Sequence, residues 1–264
     1  MRFHRHLPAA LTLALACAAA GPAAAAEPPI RVILVGDSTM ATKSGYGDAL
    51  CARFTPDVDC VNLARGGRSS GSFRAEGRWD EVQRLLRDGA AFRATYVLVQ
   101  FGHNDQPGKP GRSTDLVTQF PANMARYAQE TRQLGGIPVL VTPLARRTFK
   151  GAYVANDLAP WAAATRRVAA AEHAVLLDLN ADSIAAVQAM GQDEADTLAA
   201  APRPPGYGQP PDPNRVEPAG AAKSAFDRTH LGPRGAGFFA RMVERELVAA
   251  RPETAAYFRD GGKP

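Results

Sequence analysis

Five short apolar runs rich in β-branched residues recur along the chain, at Ile30–Val35, Cys60–Leu63, Tyr96–Phe101, Ile137–Thr142 and Ala174–Leu179. Continuous apolar runs of this length, bounded by Gly, Pro or Asn, read as strands buried on both faces. Helical patterns lie between them, at Tyr46–Phe54, Trp79–Arg87, Pro121–Leu134, Pro160–Glu172 and Ser183–Met190, and Pro233–Ala250 follows near the end. Pro121, Pro160 and Pro233 suit a first helical turn, where a missing N–H breaks no bond. Gly135-Gly136 and Gly191 suit helix stops. Strand–helix alternation of this kind predicts a doubly wound α/β fold around a sheet of five parallel strands. In such a sheet the ligand site lies at the carboxyl ends of the strands, so chemistry is expected just after each run.

The chain has 264 residues, 45% hydrophobic and 22% charged, enough for one core-sized domain. That composition excludes a disordered chain, a collagen, a disulfide-dense mini-protein and a polytopic membrane protein. Before the first run come Arg2 and Arg5, an apolar stretch (LPAALTLALACAAA) and Ala24-x-Ala26 ahead of Glu27. A basic start, a short apolar segment and small residues at a cleavage position predict a secretory signal peptide over residues 1–26. A secreted or periplasmic domain of residues 27–264 is then expected, free of the membrane and a monomer. Removing the signal leaves 29 basic and 26 acidic side chains, a net charge of +3. Without a lysine block this does not indicate nucleic-acid binding. Two cysteines remain, Cys51 and Cys60, and export makes a bridge between a helix end and a strand start the favoured expectation. Residues 201–222, rich in Pro and Gly, are expected to form an irregular loop.

Polar clusters stand where the sheet rule places them. Gly36-Asp37-Ser38-Thr39-Met40 follows the first run, Ala64-Arg65-Gly66-Gly67-Arg68-Ser69-Ser70 the second, and Gly102-His103-Asn104-Asp105 the third. Asp227-Arg228-Thr229-His230 lies near the C-terminus. Ester hydrolysis by a serine needs a hydroxyl, a base, a carboxylate that orients the base, and donors for the tetrahedral oxyanion. Ser38 is the candidate nucleophile; a helix cap is the bland alternative. Only His103, His173 and His230 remain after signal removal. His173 ends an alanine-rich helix, where a structural role is expected. His103 reads as a support of its turn or a substrate contact. His230 has Asp227 three residues earlier, a spacing that sets a carboxylate against one ring nitrogen and leaves the other free. Candidate oxyanion donors are the backbone N–H groups of Ser38 and Gly67 and the side-chain amide of Asn104, with plain turns as their alternatives.

On these residues the chain resembles the SGNH (GDSL-type) hydrolases, and within them the rhamnogalacturonan acetylesterases. The likeness is carried by V-G-D-S-T-M-A (35–41), N-L-A-R-G-G-R-S-S-G-S-F (62–73), E-G-R-W (76–79), F-G-H-N-D (101–105) and D-R-T-H-L (227–231), in the family's order. S-T-M in place of S-L points to this branch. The resemblance implies a three-layer, flavodoxin-like sandwich, secretion, and removal of acetyl groups from pectic polysaccharide without metal or cofactor. It also implies Ser38 as nucleophile, Asp227 and His230 as its partners, and Gly67 and Asn104 as oxyanion donors. The loop at 201–222 is long for the branch, which bears on the polymer more than on the chemistry.

Several readings stay open at this level. Arg68, Arg74 and Arg78 could face uronic acid carboxylates, but pairing with Glu76 or Asp80 is the favoured reading. Trp79 and Trp161 could stack on sugars, with core packing the default. A metal-dependent phosphoesterase would need more His and Asp ligands than this chain offers. A noncatalytic polysaccharide-binding protein on a hydrolase fold is opposed by the complete set Ser38, Asp227 and His230. Within the esterases, acetylated xylan or a surface glycan remains an alternative substrate, as does a less specific carboxylesterase or lipase activity.

Overall fold

β1 (Ile30–Gly36) is buried along its whole length and is an interior strand of the sheet. The computed structural model describes Met1, residues 28–208 and residues 225–262. All of the expected signal (1–26) but Met1, and positions 209–222 of the proline-rich stretch, lie outside the described residues. After β1 come α1 (Gly47–Cys51), β2 (Val58–Asn62), α2 (Ser70–Ala75), α3 (Arg78–Arg87), β3 (Ala94–Gln100), α4 (Gln119–Gln133) and β4 (Ile137–Val141). A small antiparallel hairpin of β5 (Phe149–Lys150) and β6 (Tyr153–Val154) follows, then α5 (Ala159–Ala171), β7 (Val175–Leu177), α6 (Leu179–Asp196) and α7 (Pro233–Ala250).

The main sheet has five parallel strands in the order β2-β1-β3-β4-β7. Strand order reverses beside β1, so the crevice between the ends of β1 and β3 is the expected ligand position. Successive side chains of a strand point to opposite faces. Ile30, Val32 and Leu34 therefore pack with Leu50, Val187 and Phe239 on the face covered by α1, α6 and α7. Ile33 and Val35 pack with Trp79, Val82, Met124 and Val168 on the face covered by α3, α4 and α5. The result is the doubly wound α/β sheet anticipated from the alternation, in the three-layer sandwich that the resemblance implied. Trp79 and Trp161 belong to the second of these cores, 2% and 7% exposed, so core packing is their role.

Three local expectations are corrected. The edge strands are not buried on both faces: every residue of β2 is half-buried, because an edge has a neighbour on one side only. α6 begins at Leu179 and passes through Gly191 to Asp196, so Gly191 (φ 73°, ψ 169°) is a kink and not a stop. α2 and the β5–β6 hairpin were not anticipated, being too short to show a period. Gly135 (φ 80°) does follow the end of α4, and His173 (φ 49°) occupies the corresponding left-handed position after α5. Cys51 and Cys60 are joined, Cα atoms 5.4 Å apart, stapling the end of α1 to the middle of β2. Among the described residues no helix is long and apolar enough to cross a membrane.

Candidate active site

The turn after β1 is organised by a side chain below it. Asp37 is fully buried, and its Oδ1 accepts hydrogen bonds from Thr39 N (2.9 Å) and Thr39 Oγ1 (2.8 Å). Its carbonyl accepts from the N–H groups of Met40 (3.2 Å) and Ala41 (3.0 Å), which closes the turn and leaves Ser38 at the strand end. Burial would raise the Asp37 carboxyl, yet the neighbouring His103 and the Thr39 donors hold it below its ordinary value. Residues 44–47 press against the same turn: Ser44 Oγ donates to Ser38 O (2.8 Å). A Cβ on Gly45 would stand 2.3 Å from the Thr39 backbone, a close approach that only glycine permits.

His103 is placed differently from the substrate contact considered above. It is 3% exposed, with Nδ1 3.3 Å from Asp37 Oδ2, so it lies beneath the turn and not on the open face. Burial under the β1 end makes it a support for Asp37, the other reading that its position beside Asn104 allowed.

Ser38, His230 and Asp227 come together although 192 positions separate the serine from the histidine. His230 Nε2 lies 2.9 Å from Ser38 Oγ, and Nδ1 lies 2.9 Å from Asp227 Oδ2. The other Asp227 oxygen, Oδ1, accepts the N–H groups of Thr229 and His230, both at 2.7 Å. One carboxylate thus shapes the turn and orients the ring, which is why the three-residue spacing works. Burial pushes Asp227 up, but these bonds from His230 and Thr229 hold it below the ordinary carboxylate value. An ionised Asp227 selects the tautomer in which Nδ1–H donates to it and Nε2 accepts from Ser38 Oγ–H. The Ser38 residue is 9% exposed, while the His230 and Asp227 side chains are 39% and 43% exposed.

Gly67 (φ 77°) requires the left-handed region, and a Cβ on its neighbour Gly66 would lie 3.7 Å from Ser38 Cβ, so this turn sits beside the serine. Asn104 Nδ2 donates to Arg68 O (3.1 Å), latching the end of β3 to the same turn. Asp105 deepens the latch by accepting from Ser70 N (3.1 Å), Ser70 Oγ (2.6 Å) and Thr114 Oγ1 (2.8 Å). Burial pushes Asp105 up to about 6 despite these donors. Arg68 and Arg78 share one partner, Glu76, at 3.0 and 2.6 Å, as the pairing alternative expected, and Arg74 meets Glu130.

One residue had escaped notice. Arg147, after β4, is fully buried, and its Nη2 donates to the carbonyls of His230 (2.8 Å) and Asp227 (3.2 Å), with Nη1 3.4 Å from that of Thr229. Its backbone N–H donates to Arg228 O (2.9 Å). A second arginine, Arg228, is held by Asp196 at 2.9 and 3.1 Å. The segment carrying Asp227 and His230 is therefore gripped from below. In the sequence Arg147 is one of two adjacent arginines after an apolar run, and only its burial distinguishes it.

The geometry on these strand ends is that of acyl transfer through an activated hydroxyl. The family model of the GDSL-like lipases and acylhydrolases matches residues 34–238. Rhamnogalacturonan acetylesterase RhgT of Bacillus subtilis (strain 168) is 31% identical over 226 residues, 81% of this chain and 88% of its own length. Probable rhamnogalacturonan acetylesterase YesY of the same strain is 31% identical over 174 residues, 63% of this chain and 78% of its own. Among solved structures, protein YXIM of Bacillus subtilis is similar at 21% identity and a TM-score of 0.64, over 88% of this chain and 59% of that longer one. That last likeness speaks for the fold alone. By sequence the chain belongs to the GDSL-like lipase/acylhydrolase family, in its rhamnogalacturonan acetylesterase branch, and is a carboxylic ester hydrolase.

Proposed function

We propose that the protein is a secreted serine esterase that removes O-acetyl groups from carbohydrate, with pectic rhamnogalacturonan as its substrate. The observation that carries this reading is the line of 2.9 Å contacts from Ser38 Oγ through His230 to Asp227 at the carboxyl ends of the strands. Ser38 attacks the acetyl carbonyl while His230 Nε2 takes the hydroxyl proton. Asp227, ionised and fixed by its backbone donors, stabilises the imidazolium that forms. The N–H groups of Ser38 and Gly67 and the Asn104 amide hold the oxyanion. Neutral donors suit an alkoxide born from a carbonyl, and each such donor is worth ~3 kcal/mol of barrier. His230 then protonates the departing sugar hydroxyl, and a water deprotonated by the same ring releases acetate. The chemistry needs no cofactor, and the chain acts as a monomer.

The substrate reading is supported by the names of the two curated relatives and by the open, half-exposed histidine, which suits a polymer better than a buried pocket would. Secretion is supported by the basic, apolar and A-x-A pattern ahead of Glu27. Ser38→Ala is expected to lower the rate of acetate release by roughly 10⁴-fold or more. Persistence of the parent rate would overturn the mechanism. Acetate release compared across acetylated rhamnogalacturonan, homogalacturonan and xylan tests the substrate; a preference for xylan would overturn the pectin assignment and leave the serine mechanism standing.

A further inference from the structure

Beside the oxyanion residues stands a cation that no acid among the described residues neutralises. Arg112 lies on the connection between β3 and α4, with Nη1 3.5 Å from Asn104 Oδ1. The same nitrogen is 3.6 Å from where a Cβ on Gly67 would be. Arg68, Arg74, Arg78 and Arg146 each pair with a carboxylate. Arg112 is exposed and, among the described residues, makes no ion pair. An exposed guanidinium without an acid partner is free to bind one.

Arg112 opens onto a groove of about 540 Å³ that runs over α2 and the start of α4, lined also by Gly71, Ser72, Ser113, Thr114, Asn123 and Arg126. Two arginines and no acidic side chain line it. The wall is fixed in advance of binding. Ser113 Oγ donates to Gln106 O (2.8 Å), Thr114 Oγ1 to Asp105 Oδ1 (2.8 Å), and Asn123 Nδ2 to Ser70 Oγ (3.1 Å). A cationic groove that reaches the oxyanion residues through Arg112, beside Asn104, fits a sugar chain carrying negative charge, because guanidinium and carboxylate match as planar, two-pronged partners.

We propose that Arg112 is a specificity-determining residue that binds a uronic acid carboxylate of the glycan whose acetyl group Ser38 attacks. This assignment rests on the esterase reading above and names the residue that recognises the acid groups of the polymer. It also separates this groove from Arg68 and Arg78, each of which is held by Glu76. On its Asn104 side the guanidinium donates to Oδ1 of the amide whose Nδ2 donates to Arg68 O in the Gly67 turn. Carboxylate binding and oxyanion geometry therefore share one side chain.

Binding to the Ser38→Ala protein tests this without any turnover. Unacetylated tetragalacturonic acid and xylotetraose are titrated calorimetrically into Ser38→Ala and into Ser38→Ala/Arg112→Gln. The acidic tetramer is expected to bind Ser38→Ala at least about tenfold more tightly than the neutral one, and to lose about tenfold when Arg112 is replaced. Raising salt from about 0.02 to 0.2 M should weaken only the acidic tetramer. Arg112→Lys, which keeps the charge but not the fork, should fall between parent and Arg112→Gln. Equal affinity of the two tetramers, no binding of the acidic one, or an Arg112→Gln affinity within about threefold of the parent would overturn the proposal. Failure of the esterase reading would show separately, as acetate release that survives Ser38→Ala.

Discussion

Arg147 is charged and shut off from water. Burial lowers its pKa to about 10, so it stays protonated at neutral pH while packed under the carbonyls of Asp227, Thr229 and His230. A buried cation costs several kcal/mol unless its surroundings answer it, and here the answer is the backbone of the segment that bears the base and its carboxylate. Arg147→Met removes the three donors and leaves the apolar stem's volume filled. We expect kcat/KM for acetate release to fall about 100-fold, as a displacement of roughly 1 Å in a reacting group does. The loss should appear in kcat, measured per folded active site by titration with a serine-directed organophosphate. A kcat within about threefold of the parent would show that the grip does not position His230.

α1 shows what a short element needs. Five residues cannot hold a helix by themselves, since nucleation costs more than one turn returns. Packing against α7 and the Cys51–Cys60 bridge to β2 supply what the local sequence does not. β2 gains from the same staple, being an edge strand with a hydrogen-bonded neighbour on one side only. The bridge closes a loop of about ten residues, for which chain entropy gives about 2–3 kcal/mol of stabilisation. Cys51→Ala/Cys60→Ala should therefore lower the unfolding free energy by that amount, read as a shift of the urea midpoint. An unchanged midpoint would mean that packing on α7 suffices.

Across the whole molecule, stability carries a pH dependence set by a carboxyl far from the reaction. Glu246, on α7, has both oxygens buried with no hydrogen-bond donor among the described residues. Burial, and then the negative charges of Asp182 on α6 and Asp178 before it, push it up to about 8; Arg245 on its own helix only partly offsets this. The folded state then keeps a proton that the unfolded chain releases near 4.5. The stabilising term is complete below that value and is lost as pH rises through about 8. Glu246→Gln should be more stable than the parent at pH 9 and should flatten the decline in urea midpoint between pH 5 and 8, by roughly the slope of one proton. Parallel profiles for the two proteins would show that Glu246 is ionised in the fold.

The sequence by itself determined the layers and the parts of the site. Apolar runs such as Val32–Val35 and Val97–Val99 admit one solution, a buried parallel strand, and each places its polar cluster at the strand end. Asp227 and His230 were legible because one short-range spacing serves both turn and ring. Only the tertiary structure decided what depends on neighbours remote in the chain. It assigned His103 to Asp37 beneath the turn, gave Arg68 and Arg78 to Glu76, made Arg147 the clamp, and left Arg112 beside Asn104 with no ion pair among the described residues. The physical reason is that an arginine or histidine reads alike wherever it stands in sequence. Burial and the distance to a counter-charge set its role, and both are created by folding.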